Sequence, residues 1–214
     1  MTPSAHEGME MPQPDKTVAG QPVRQRLARL LTELLAPGYT SAALLIIVIV
    51  HSAPSAAVAL RWLVPALLFG CLLPLGYVVY QVRRRRLSDM HIRVREQRPL
   101  AVLIGLVSVL IGLVLLIFLG ASREVLAMIG AMATGLVVAM LTSLVWKLSI
   151  HTGAIAGTVV VLAYIFGPAL FALEILTLAI GWARVEVGDH TPAQVIAGGA
   201  IGTIVAGIVF PLLR

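Results

Sequence analysis

Five histidines occur in the 214-residue chain, and three of them stand near strong cations in sequence. His91 lies beside Arg93, Arg95 and Arg98, His151 beside Lys147, and His190 follows Arg184. Three separated segments that each offer a histidine and a cation can converge on one anionic group. Phosphate suits such a set, because guanidinium forks match its oxygens in paired hydrogen bonds. Imidazole can attack phosphorus or move a proton near neutral pH. The run Ser149-Ile150-His151-Thr152-Gly153 reads as a helix start, where free N–H groups and the positive dipole end also favour phosphate. Ser149 serves there either as a plain N-cap or as a donor to phosphate. Arg184 closes one apolar stretch and His190 stands just before the next. No His/Asp/Glu/Cys group has metal-ligand spacing, so neither a metal nor another cofactor is expected.

Composition shows what must position these residues. Apolar residues make up 59% and charged residues 12%, with a mean hydropathy of +0.96, against about 45–50% and about 25% for soluble domains. A 22.7 kDa water-soluble globule cannot bury that excess. The expected class is an all-α, polytopic transmembrane helix bundle. The single cysteine, Cys71, cannot form an internal bridge and reads as packing. The net charge of +6 and pI near 10.2 do not point to nucleic acid, because the basic residues flank apolar runs. They point to lipid headgroups, phosphates and topology.

Residues 1–21 are polar and rich in Pro and Gly, and are expected to be a disordered tail. In 22–36, Val23, Leu27, Leu30, Leu31 and Leu34 recur at spacings of three and four, with Arg24, Arg26 and Arg29 largely between them. This predicts an amphipathic helix suited to the membrane surface or docked on the bundle. From residue 37 to 214 the chain reads as a membrane domain. Expected spans are Tyr39 to about Leu60, with Pro54 bending it or ending it early, Trp62–Val82, Leu100 to about Ala121, Val125–Trp146, two short helices at about 150–166 and 168–184 divided at Gly167-Pro168, and Thr191 to about Leu213. That makes seven, or six if the first is re-entrant.

This order puts the tail and the loops 83–99, 146–150 and 184–190 on one face. Of the 16 Lys and Arg, all but Arg61, Arg123 and Arg214 fall there, with Arg83–Arg86 abutting a span end. That face is expected to be cytoplasmic in a multi-pass cell-membrane protein. Trp62, Trp146 and Trp182 fit interfacial anchors, and Asp89 and Glu96 balance the arginines of their loop. Gly153 and Gly157, and Gly198 and Gly202, have the spacing of closely packed membrane helices. Glu174, an acid within a span, is either a paired interior residue or a participant in substrate or proton handling.

Three short motifs now resemble the signatures of the type 2 phosphatidic acid phosphatase superfamily, the membrane lipid phosphatases. Arg98-Pro99 matches the end of the first signature, Ser149 and His151 match the second, and Arg184 and His190 match the third. The likeness spans roughly residues 83–212. It implies the helical core of that family and an integral membrane phosphatase acting on a lipid phosphate or prenyl diphosphate. His190 would be the nucleophile, forming a phosphohistidine, and His151 the proton donor to the leaving group. Arg98, Arg184, Ser149 and Lys147 would hold phosphate, Lys147 replacing the family cation whose position falls on His91. The chain departs from the signatures at Leu148, Ile150 and Ala183, and Gln194 stands where the family has the Asp that orients the nucleophile. Asp189 or Glu186 can substitute for that acid in the fold. The alternatives are a relative that binds a phospholipid without turnover, and a transporter or structural bundle.

Overall fold

The computed structural model describes residues 22–92 and 94–214. The tail expected to be disordered, with His6, and Arg93 lie outside the described residues. Among the described residues there is no strand. The helices are α1 (Val23–Leu34), α2 (Pro37–Ser52), α3 (Ala56–Leu67), α4 (Leu73–Arg83), α5 (Arg98–Phe118), α6 (Arg123–Val145), α7 (Ile150–Phe166), α8 (Glu174–Glu186) and α9 (Pro192–Leu213). Among the described residues five helical stretches are long and apolar enough to cross a membrane, or six if α1 and α2, bent by 45° at their junction, count as one span. The protein is therefore an all-α bundle embedded in a membrane. The apolar α7 has 17 residues, about 25 Å, which is short against a bilayer core of ~30 Å.

The first expected span, Tyr39–Leu60, is corrected. Helix α2 stops at Ser52, and residues 56–60 already belong to α3. Pro54 is the cause: it lacks an N–H, and it holds the preceding Ala53 in an extended conformation (φ −79°, ψ 134°). Ser55 then caps α3 by accepting from the Val58 N–H at 3.3 Å. The division at Gly167-Pro168 falls where the sequence puts it. Gly167 adopts φ +109°, which only glycine takes readily, and Pro168 opens a 3₁₀ turn, Pro168–Leu173, that leads into α8. Trp62 is buried, its indole N–H donating to the Leu119 carbonyl at 3.2 Å.

A π turn, Leu68–Leu72, joins α3 and α4 into one continuous stretch. There the Leu73 N–H bonds the Leu68 carbonyl. The Phe69 carbonyl would next need the N–H of residue 74, which is proline. Ser108 of α5 supplies the missing donor, its hydroxyl reaching Phe69 O at 2.7 Å. In a lipid-embedded helix an unpaired carbonyl is costly, which accounts for a buried serine in an otherwise apolar span.

The closest packing joins α7 and α9. A Cβ on Gly153 would lie 3.0 Å from the Gly198 carbonyl, and a Cβ on Gly157 would lie 3.4 Å from the Gly202 carbonyl. A Cβ on Gly198 would meet Ser149 O and the Thr152 hydroxyl, and one on Gly202 would meet the Gly153 backbone. These glycines let backbone touch backbone. Gly135 of α6 has nothing within 4 Å of its Cβ position. We therefore expect Gly202→Ala to destabilise by about 1–3 kcal/mol through overpacking. Gly135→Ala is expected to be neutral or stabilising by up to about 1 kcal/mol. Thermal unfolding of the two variants in one detergent checks this; equal midpoints would refute the close-packing account.

Candidate active site

The turn between α8 and α9 brings the third motif together. Gly188 takes φ +74°, and the N–H groups of Asp189 and His190 both return to the Arg184 carbonyl, at 3.1 and 3.2 Å. This is a glycine-dependent helix C-terminus of the Schellman kind. It folds the five intervening residues so that His190 comes back to Arg184. The Arg184 side chain is 1% exposed and lies 2.9 Å from the Asp189 carboxylate.

His190 is oriented by Gln194. Its Nδ1 lies 3.1 Å from Gln194 Oε1. The same oxygen accepts from the Thr191 N–H at 3.2 Å, while the Thr191 hydroxyl accepts from the Gln194 N–H at 3.4 Å. This is a capping box at the start of α9. The backbone donor fixes the amide with its oxygen toward the ring, so Nδ1 carries the hydrogen and Nε2 keeps its lone pair. Gln194 is thus the residue that meets the His190 ring, whereas Asp189 pairs with Arg184 and Glu186 with Arg24, at 2.8 Å. Burial, then the fields of Arg184, Arg98 and Lys147, push the His190 imidazole down to about 3, against the opposing hydrogen bond to Gln194.

The second motif reaches this turn through the α7–α9 contact. The Ser149 N–H donates to the Gln194 carbonyl at 3.3 Å. Ser149 is fully buried and caps α7, accepting from the Thr152 N–H at 3.5 Å. His151, 6% exposed, has a buried Nε2 with no hydrogen-bond partner among the described residues. The charges of Arg184, His91, His190 and Arg98 all reach its ring.

Backbone carbonyls hold two of the cations. Arg98, 4% exposed, donates through Nε to Ile92 O at 2.9 Å and through a terminal nitrogen to Leu148 O at 3.0 Å. Lys147 Nζ donates to Asp189 O at 2.6 Å. The His91 ring centroid lies 5.4 Å from that of His151, and its Nε2 lies 3.7 Å from Glu33 of α1. Burial and the Arg184 charge hold His91 below its ordinary value, with Glu33, Asp189 and Asp89 opposing.

His91, Arg98, Lys147, Ser149, His151, Arg184, His190 and Gln194 therefore share one electrostatic neighbourhood at one end of the bundle. Glu174 does not join it. It opens α8 ten residues before Arg184, about 15 Å along the helix axis. A groove that Tyr164, Pro168, Phe171 and Gly207 help line is also separate from the histidines. Among the described residues no three His, Cys, Asp or Glu side chains group to hold a metal ion. The sequence reading did not contain the contact from Glu33 to His91 or the carbonyl clamp on Arg98. The capping box had a readable signal in Thr191-Pro-Ala-Gln194.

The family model described as PAP2 superfamily matches residues 142–214. The match takes in Lys147, Ser149, His151, Arg184, His190 and Gln194, while His91 and Arg98 precede it. Over this segment the resemblance drawn from the motifs is shown. No curated protein and no solved structure shows a significant match to the chain.

The histidine environment sets a pH dependence. An unfolded histidine takes a proton near pH 6.5, whereas folded His190 does so only near 3. Between these values the unfolded state binds more protons, so stability falls as pH drops. His190→Gln removes this contribution and leaves those of His91 and His151. We expect the unfolding midpoint of the variant to decline less between pH 6.5 and 4 than that of the parent; parallel curves would contradict the neutral, buried ring.

Proposed function

We propose that the protein is an integral membrane phosphatase that hydrolyses a lipid phosphate or prenyl diphosphate through a phosphohistidine on His190. One observation carries the reading: His190 is tied through Nδ1 to Gln194, leaving its Nε2 lone pair for phosphorus, among Arg98, Arg184 and Lys147. In the proposed first step Nε2 attacks phosphorus and the bond to the leaving oxygen breaks. The electron pair goes to that oxygen, which takes a proton from His151 in its imidazolium form, the form that the negative charge of bound phosphate favours. Arg98, Arg184, Lys147 and the Ser149 hydroxyl hold the phosphoryl oxygens as charge builds on them. In the second step water gives a proton to His151 and attacks phosphorus. The P–N bond breaks, its electrons return to His190, and inorganic phosphate leaves.

The amide at Gln194 sets the expected rate. As the ring gains positive charge it strengthens its bond to a carboxylate more than to an amide. A charged partner exceeds a neutral one by about 1 kcal/mol or more, roughly tenfold in rate. The reading predicts that purified protein releases phosphate from at least one of a panel of lipid phosphates. His190→Ala should reduce release to background, and Gln194→Asp should raise turnover about tenfold. Specific phosphate or vanadate binding without release, by folded protein, would instead support the non-catalytic relative that the amide at 194 also fits.

The surplus of Lys and Arg at this end of the bundle supports a cytoplasmic orientation of the site. A reporter enzyme inserted in the Arg83–Pro99 loop of the full chain should score cytoplasmic. An external score would overturn the orientation without touching the chemistry.

A further inference from the structure

Helix α1 carries three distinct faces. At about 100° per residue, Ala28 and Thr32 fall together and are buried, and their face docks beside Ile155, Ile180 and Ala183. Val23, Leu27, Leu30 and Leu34 form a second face, 80%, 48%, 54% and 61% exposed. Arg26, Arg29 and Glu33 lie on the third and are also exposed. An apolar stripe this open, bordered by arginines and joined by a short bend to the apolar α2, fits the headgroup boundary of a bilayer. Arg83–Arg86, exposed at the end of α4, add positive charge at the same end of the bundle. The complementary occupant is an anionic leaflet.

The helix is also wired to the histidine cluster. Its first turn is held at α8, where Arg24 pairs with Glu186 at 2.8 Å and lies 5.8 Å from the Trp182 ring. Its last turn presents Glu33 to His91, whose ring adjoins that of His151. Ile155, in the core against Ala28, is one helical turn from His151.

We propose that α1 is an anionic-membrane sensor: seated on negatively charged lipid, it holds Glu33 against His91 and thereby orders the phosphate site. This rests on the phosphate-binding reading of the site, and it assigns that site a regulator. Glu33 and His91 are positioning residues here, acting through His151. Lipid charge that seats the helix must, by linkage, favour the site arrangement that the seated helix supports.

The full chain in phosphatidylcholine nanodiscs, with and without phosphatidylglycerol, tests this with two readouts. A nitroxide at Leu30→Cys, in a Cys71→Ala background, reports the seating of α1. Orthovanadate affinity reports the site without requiring turnover. Phosphatidylglycerol should withdraw the nitroxide from water and tighten vanadate binding about fivefold. Arg29→Glu should weaken both responses. Glu33→Gln should keep the nitroxide response and lose the tightening. A nitroxide equally in water in both discs, or tightening that survives Glu33→Gln, overturns the proposal. Equal vanadate binding in both discs defeats this inference alone, whereas no vanadate binding in either disc defeats the phosphate reading beneath it.

Discussion

Backbone contact between α7 and α9 is the constraint on which the candidate site depends. A side chain at Gly198 would occupy the space of the Ser149 carbonyl and the Thr152 hydroxyl. With glycine there, the start of α7 lies against the start of α9, and the Ser149 N–H reaches the Gln194 carbonyl. The capping serine, the histidine two residues after it, and the amide that orients His190 are thereby held in one register. Dispersion and hydrogen bonding do this work, because lipid tails remove the hydrophobic drive between spans.

On this frame the charges are arranged so that each buried cation has an oxygen partner. Arg98 is clamped by two carbonyls, Lys147 by a third, and Arg184 by the Asp189 carboxylate. Burying a guanidinium without such partners would be prohibitive. Burial, and after it the field of these cations, keeps His190 neutral, while their combined charge suits an anion. Asp189 moderates that charge from beside Arg184, and Gln194 orients the ring without adding charge of its own.

Much of the architecture was legible in apolar length and in proline. The broken stretch 148–183 divides at Gly167-Pro168 because one residue takes a left-handed conformation and the next cannot continue a helix. Pro54 was legible too, as a bend or an early end; it ends α2 outright and gives residues 56–60 to α3. The π turn had no clear sign in the sequence, because it depends on a serine from another helix reaching Phe69 O.

The sequence by itself determined a membrane-embedded, all-helical chain, because its apolar excess has no other solvent. It also determined which histidines and cations could meet, because motif spacing relative to span ends assigns them to one face. Tertiary structure alone decided how they meet. It chose Gln194 rather than Asp189 or Glu186 as the partner of His190, left Glu174 apart, and set Glu33 beside His91. Those choices turn on a glycine-permitted reversal at Gly188, a backbone donor that fixes one amide, and the crossing of two helices. Each depends on where residues distant in the chain come to rest, which local pattern does not encode.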